Sequence, residues 1–112
     1  MRELSAAGYL DDARFAQRFA DDKRQLERWG SERIARDLRR RRVAPDLIEA
    51  AVSGHGRGEE LQAAIELLAT RMPVPPVGDR ERDRAWRLLV RKGYEPDLAY
   101  EAVRAHGRQA AA

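Results

Sequence analysis

"RIARDLRRRRVAPDLIEAAVSGHG", residues Arg33 to Gly56, returns 51 positions later as "RAWRLLVRKGYEPDLAYEAVRAHG", residues Arg84 to Gly107. Without a gap, Arg33, Arg36, Leu38, Arg40, Asp46, Leu47, Ala51, Val52, His55 and Gly56 meet Arg84, Arg87, Leu89, Arg91, Asp97, Leu98, Ala102, Val103, His106 and Gly107, and Pro45 meets Pro96. Recurrence at one fixed offset marks a duplicated supersecondary unit. Within each copy a basic helix is followed by a short corner and a second helix that opens on proline, which suits a first helical turn because its missing N–H is not needed there.

Working outward, the stretch "GYLDDARFA" (Gly8 to Ala16) reads as a helix stop, a turn and a helix start. Gly8 suits the position just past a helix, Asp11 an N-cap and Asp12 the first turn, where a carboxylate complements the dipole. On that register Leu10 and Phe15, with Tyr9 beside them, form a hydrophobic staple. A helix is then predicted over residues 12–29, with Phe15 and Phe19 one turn apart. Gly30 stops it and Ser31 caps the next, over 31–42. The following helices are predicted over 45–53, 57–72, 79–92 and 96–105, with the stiff "PVPPVG" connector at 73–78. No alternating pattern of strand type occurs. The expected fold is all-α: tandem three-helix repeats in an elongated, curved array. Residues 8–56 form one unit, and 57–112 a second with a short flexible C-terminal tail. Residues 1–7 read as the remnant of a preceding unit.

Composition agrees. Apolar residues make up 43% of the 112, but aromatics only 6%, so the core is thin and rich in Leu and Ala. Charged residues reach 37%, against the usual quarter. With no cysteine there is no disulfide framework and no thiolate metal site. No apolar run is long enough for a membrane span and no leader is legible, so a soluble, cytoplasmic protein is expected.

The net charge is only +3, yet of the 22 basic residues Lys23 and Lys92 are the only lysines. Residues 31–42 hold six arginines against Glu32 and Asp37, a local +4 that exceeds the whole-chain value. On a wheel, Arg33, Arg36 and Arg40 fall within about 60° of one another, opposite Ile34 and Leu38. The duplicate sets Arg84, Arg87 and Arg91 opposite Ala85 and Leu89, and Arg39 adds to the first group. One reading is a solvated face supported by the pairs Glu32–Arg36, Arg33–Asp37 and Asp37–Arg41. The other is a binding surface for phosphates or carboxylates, to which the planar guanidinium is suited.

Other constellations carry less. Asp11 and Asp12 have no histidine or further acid spaced to join them in acid–base or metal chemistry, and capping accounts for both. His55 and His106 are expected at helix C-termini, complementing the dipole. Trp29, Trp86, Tyr94 and Tyr100 are expected chiefly to fill gaps between helices. "GHGRG" lacks the strand and the Lys-Ser/Thr of a phosphate loop. No catalytic constellation, cofactor site or metal site is read.

Taken together, "GYLDDARFA", "RIARDLRRRRV", "PDLIEAAV" and "LVRKGYEPDLAYEAV" resemble RecX, the bacterial regulatory family of the RecA recombinase, from Gly8 to about Ala105. The resemblance implies a non-enzymatic, elongated protein lying in the groove of the RecA–single-stranded-DNA filament. There it would inhibit ATP hydrolysis, strand exchange and repressor cleavage, within recombination, DNA repair and the SOS response. It also implies contact with single-stranded DNA. A monomer is expected, with self-association through Tyr9, Leu10 and Phe15 if a preceding unit is absent. The family's Lys-Gly corner is kept at Lys92-Gly93, whereas the first unit has Arg41-Arg42, which leaves that corner free to differ in angle. The competing reading is a stand-alone basic helical module for nucleic acid.

Overall fold

The computed structural model describes residues 6–111, and they form six helices in the order α1 (Ala6–Leu26), α2 (Ser31–Arg40), α3 (Pro45–Ser53), α4 (Arg57–Arg71), α5 (Asp79–Lys92) and α6 (Pro96–Ala111). The molecule extends over 54 × 22 × 20 Å with a radius of gyration of 16.3 Å. A compact chain of this length would have about 13 Å. The elongation follows from two separate cores. One gathers Ala16, Ala20, Ile34, Leu38, Leu47, Ile48 and Ala51 from α1, α2 and α3. The other gathers Ala64, Ile65, Leu68, Ala85, Leu89, Leu98, Ala99 and Ala102 from α4, α5 and α6, with Tyr94 from the corner between α5 and α6. Each three-helix unit thus buries its own apolar stripe, as the duplication requires.

Five sequence expectations are corrected. The helix stop at Gly8 does not form: α1 runs through it, with Asp11 inside the helix and 3.9 Å from Arg14. The staple is absent too, since Leu10 and Phe15 are 54% and 42% exposed. Glycine in a helix costs only about 0.5–1 kcal/mol, and the alanines before it favour continuation. The Tyr9 hydroxyl moreover donates to Asp46 of α3 at 2.5 Å, which ties this turn down. Of the expected remnant at 1–7, Met1–Ser5 lie outside the described residues and Ala6 and Ala7 belong to α1.

At its other end α1 stops at Leu26, three residues short of Trp29. The amides of Glu27 and Trp29 both turn back to the Lys23 carbonyl, and Arg28 takes a left-handed φ of 59°. This exit swings the Trp29 ring edge-on to Phe19, with centroids 6.3 Å apart. The expected flexible tail is helix instead, because α6 continues through Gly107 to Ala111. His106 therefore lies inside α6 rather than at its C-terminus. It is buried, and its Nε2 is 2.8 Å from the carbonyl of Met72, the C-cap of α4.

The two corners after the basic helices share one hydrogen-bond motif. In the second unit Gly93 N–H reaches Val90 O and Tyr94 N–H reaches Leu89 O, both at 3.0 Å, with Gly93 at φ 101°. In the first, Arg42 N–H reaches Arg39 O and Val43 N–H reaches Leu38 O, with Arg42 at φ 62°. The missing glycine therefore does not change the turn, and arginine accepts the left-handed conformation. Glycine is needed at Gly93 for a different reason. A Cβ there would meet Arg33 Cβ, and would sit 2.7 Å from Arg33 N.

That close approach is the joint between the units. The C-terminal end of α5 abuts the N-terminal end of α2: Gly30 N–H donates to Lys92 O (2.8 Å) and Glu32 N–H to Gly93 O (3.0 Å). Carbonyls left over at one helix end thereby satisfy amides left over at another. Glu60 of α4, buried, takes the Ser31 amide (2.6 Å) and hydroxyl (3.2 Å). It supplies from another helix the cap that Gly30 cannot. Lys92 Nζ donates to Glu27 O, and Tyr94 Oη to Arg28 O, both at 3.0 Å.

Tyr94 gives the joint a pH signature. Burial, then the nearby Glu60 carboxylate, push its hydroxyl from 10.0 up to about 12, against the opposing pull of Arg28 and Arg24. Below pH 10 the phenol is neutral in folded and unfolded chains alike. Above it the unfolded chain ionises first, so stability falls by up to about 1.4 kcal/mol per pH unit until about pH 12. Lys92, held below its ordinary 10.5 by burial and then by Arg71 and Arg33, acts in the opposite sense as pH rises toward 10.5. Urea midpoints of wild type and Tyr94→Phe at about pH 9 and about pH 11.5 separate the two. The phenylalanine chain starts weaker but loses the tyrosine's share of the fall.

Candidate partner interface

The basic helices present their arginines because their apolar residues are spent inward: Ile34 and Leu38 from α2, Ala85 and Leu89 from α5, all fully buried. Arg36, Arg39 and Arg40 project from α2 and Arg84, Arg87 and Arg91 from α5, all exposed. Of the expected supporting pairs only Asp37–Arg41 forms, at 3.2 Å, and Asp37 also lies 4.0 Å from Arg40. Arg87 pairs with Asp83 at 2.9 Å. Among the described residues Arg36, Arg39, Arg84 and Arg91 enter no ion pair, leaving four guanidinium groups with their forks turned to solvent. Exposed pairs of the kind that do form contribute about 0–1 kcal/mol, so they yield readily to a stronger anion.

Arg33 is placed differently from its neighbours. Its guanidinium stacks 4.1 Å from the Trp29 centroid and donates to Arg91 O at 3.3 Å. It is half-buried at the joint, and its own contacts link the first arginine group to the second. Arg41 sits similarly over Phe19, 4.9 Å from its centroid, and Lys23 lies 4.7 Å from the Trp29 centroid. The aromatic edge of α1 is therefore sheathed in cations. Gly8, Tyr9, Leu10, Asp11, Asp12 and Phe15 occupy the other end of α1, away from this joint, with Tyr9 on Asp46.

Sequence reasoning missed the joint itself. Gly30 reads as a helix stop and Gly93 as a helix end, and nothing in either local pattern says that the two backbones touch. Glu60 reads as one acid of an amphipathic helix. The Lys92-Gly93 pair, different from Arg41-Arg42 at the matching place, is the one visible hint. Tyr94, expected among gap-fillers, is buried in the second core.

No group of His, Cys, Asp or Glu side chains suited to a metal ion occurs among the described residues, and none of their helices is long and apolar enough to cross a membrane. His55 instead sits between Glu59 (3.5 Å) and Glu60 (3.6 Å).

Comparison with known proteins converges on one family. The family description "RecX, second three-helix domain" matches residues 11–52, which span α1 to α3. The chain is 33% identical to the regulatory protein RecX of Chromobacterium violaceum, over 90% of this chain and 63% of that protein. It is 34% identical to regulatory protein RecX of Deinococcus radiodurans over 93% and 49%. For regulatory protein RecX of Trichlorobacter lovleyi the figures are 34%, 88% and 66%. The chain thus spans about half to two thirds of the length of the curated relatives it matches. No solved structure matches it.

Proposed function

The chain belongs to the RecX family, and from that premise we propose that it is a non-enzymatic regulator that binds the RecA–single-stranded-DNA filament and inhibits its ATPase, strand-exchange and coprotease activities. The observation that carries this reading is the seating of α5 on α2 through Gly93 and Gly30. It holds two copies of one arginine pattern in a fixed relation along an elongated body. Filament grooves offer DNA phosphates beside protein carboxylates, and the guanidinium fork accommodates both. Arg36, Arg39, Arg40, Arg84, Arg87 and Arg91 make the contacts, and Arg33 positions one group against the other.

On this reading the two units, residues 8–56 and 57–112, engage neighbouring recombinase protomers. Each weak contact then gains from the effective concentration set by the other. The protein works in the cytoplasm, in recombination, DNA repair and the SOS response, and holds no cofactor.

A stand-alone DNA-binding module would need only the arginines and DNA. Co-sedimentation with preassembled RecA filaments, beside anisotropy of the same oligonucleotide without RecA, separates the two. A filament regulator retains filament binding at salt concentrations where free DNA is released. Affinity for free DNA that equals affinity for the filament, falling steeply with salt in both, contradicts the proposal.

A further inference from the structure

Where the connector meets α5 and α6, an open groove of about 1040 Å³ crosses the second unit. Its floor is apolar and uncovered: Val74, Val77 and Tyr100 are 79%, 77% and 59% exposed. Its walls are set. Pro76 is buried, the Val77 amide is held by Glu81 at 2.8 Å, and the Trp86 indole donates to Pro96 O at 3.0 Å. The charges on its rim are unevenly satisfied. Arg82 lies 3.6 Å from Asp79, and Asp83 is taken by Arg87. Arg104 and Arg108, one turn apart on α6, enter no ion pair among the described residues, and Arg104 stacks 5.8 Å from the Tyr100 centroid.

The duplication says what kind of surface this is. Counting back 51 positions, Arg82, Val103 and Arg104 correspond to Ser31, Val52 and Ser53. In the first unit Arg24 draws that place together by binding both the Ser31 hydroxyl and the Val52 carbonyl, each at 3.1 Å. There the Glu60 carboxylate of α4 reaches the Ser31 amide and hydroxyl. The Arg82, Val103 and Arg104 side of the groove is the second unit's copy of a place that in the first unit receives a buried acid. Ser31 and Ser53 give way to Arg82 and Arg104, while Arg28 gives way to Asp79, which lies beside Arg82, so Arg104 and Arg108 are the cations left for a ligand.

We propose that the groove docks an acidic amphipathic helix of a partner protein. Apolar residues of that helix lie on Val74, Val77, Trp86 and Tyr100, and its carboxylates on Arg104 and Arg108. A second copy of this chain is a poor occupant. The end it would bring is the α2–α3 corner, whose Arg41 and Arg42 repel the same arginines, and Glu81 stands where close docking uses Gly30. Nucleic acid fits no better, because the floor is hydrocarbon.

The test uses the full chain and a labelled helical peptide with leucines at i, i+4 and i+7 flanked by glutamates, beside its counterpart with lysine for each glutamate. The glutamate peptide binds and shifts the Trp86 indole resonance but not that of Trp29. R104E/R108E weakens it about tenfold and favours the lysine peptide instead. Tyr100→Ala, at an exposed position, weakens both. Circular dichroism of each variant matches wild type. The proposal is overturned if the glutamate peptide does not bind, if R104E/R108E leaves its affinity unchanged, or if Trp29 responds in place of Trp86. Self-association through the groove without peptide, or displacement of the glutamate peptide by oligo-dT, overturns it equally.

Discussion

Gly93→Ala is expected to unseat the second unit from the first. At φ 101° alanine suffers a backbone cost of about 1–2 kcal/mol. Its methyl would also overlap Arg33, including the amide nitrogen at 2.7 Å and Cα at 3.0 Å. Backbone atoms at the start of α2 cannot rotate away as a side-chain tip could, and overpacking of this kind adds about 1–3 kcal/mol. The combined loss of about 2–5 kcal/mol is large against a typical domain stability of about 5–15 kcal/mol. Gly78→Ala is the control: it has a φ of 85° but nothing within 4 Å of the new methyl, so it suffers the backbone cost alone. Because the two cores share no buried residue, loosening the joint uncouples them. Urea unfolding of Gly93→Ala therefore splits into two transitions, while Gly78→Ala keeps one. A single transition with equal losses in both variants would show that the joint does not couple the units.

The second large effect is on function. R36E/R39E/R40E reverses three exposed charges that support no core residue, so helical circular dichroism survives. At roughly 1 kcal/mol for each charge turned from attractive to repulsive, filament binding weakens about a hundredfold and inhibition is lost at working concentrations. Arg33 is left out of the set deliberately, since its contacts with Trp29 and Arg91 O belong to the joint. R84E/R87E/R91E does the same from the second unit. If each triple alone abolishes inhibition, both units act together, as linked contacts require. Unchanged inhibition in R36E/R39E/R40E would rule out the face.

How much of this was legible in the sequence depends on the range of the interaction that decides each feature. Proline at 45 and 96 and glycine at 54 act within one turn, and the helices they bound lie where local chemistry puts them. The duplicated pattern likewise led directly to two three-helix units. Gly8 misled because a glycine stop is a preference worth under about 1 kcal/mol, which two alanines and a Tyr9–Asp46 hydrogen bond outweigh. Gly107 misled in the same way, with His106 anchored on Met72 just before it. The arginine face was readable from helical period, but Arg33's separate role was not, because it depends on Trp29 leaving the helix. The joint rests on contacts between residues 29 to 66 positions apart, for which period and propensity carry no information.

The measurement that bears most directly on the central claim is the single-stranded-DNA-dependent ATPase of the cognate RecA, titrated with this chain, beside anisotropy of the same DNA with the chain alone. The account predicts inhibition at concentrations that leave free DNA unbound, abolished by R36E/R39E/R40E. ATPase rates that stay level while the chain coats the DNA would contradict it, and would make this a DNA-binding module rather than a regulator of the filament.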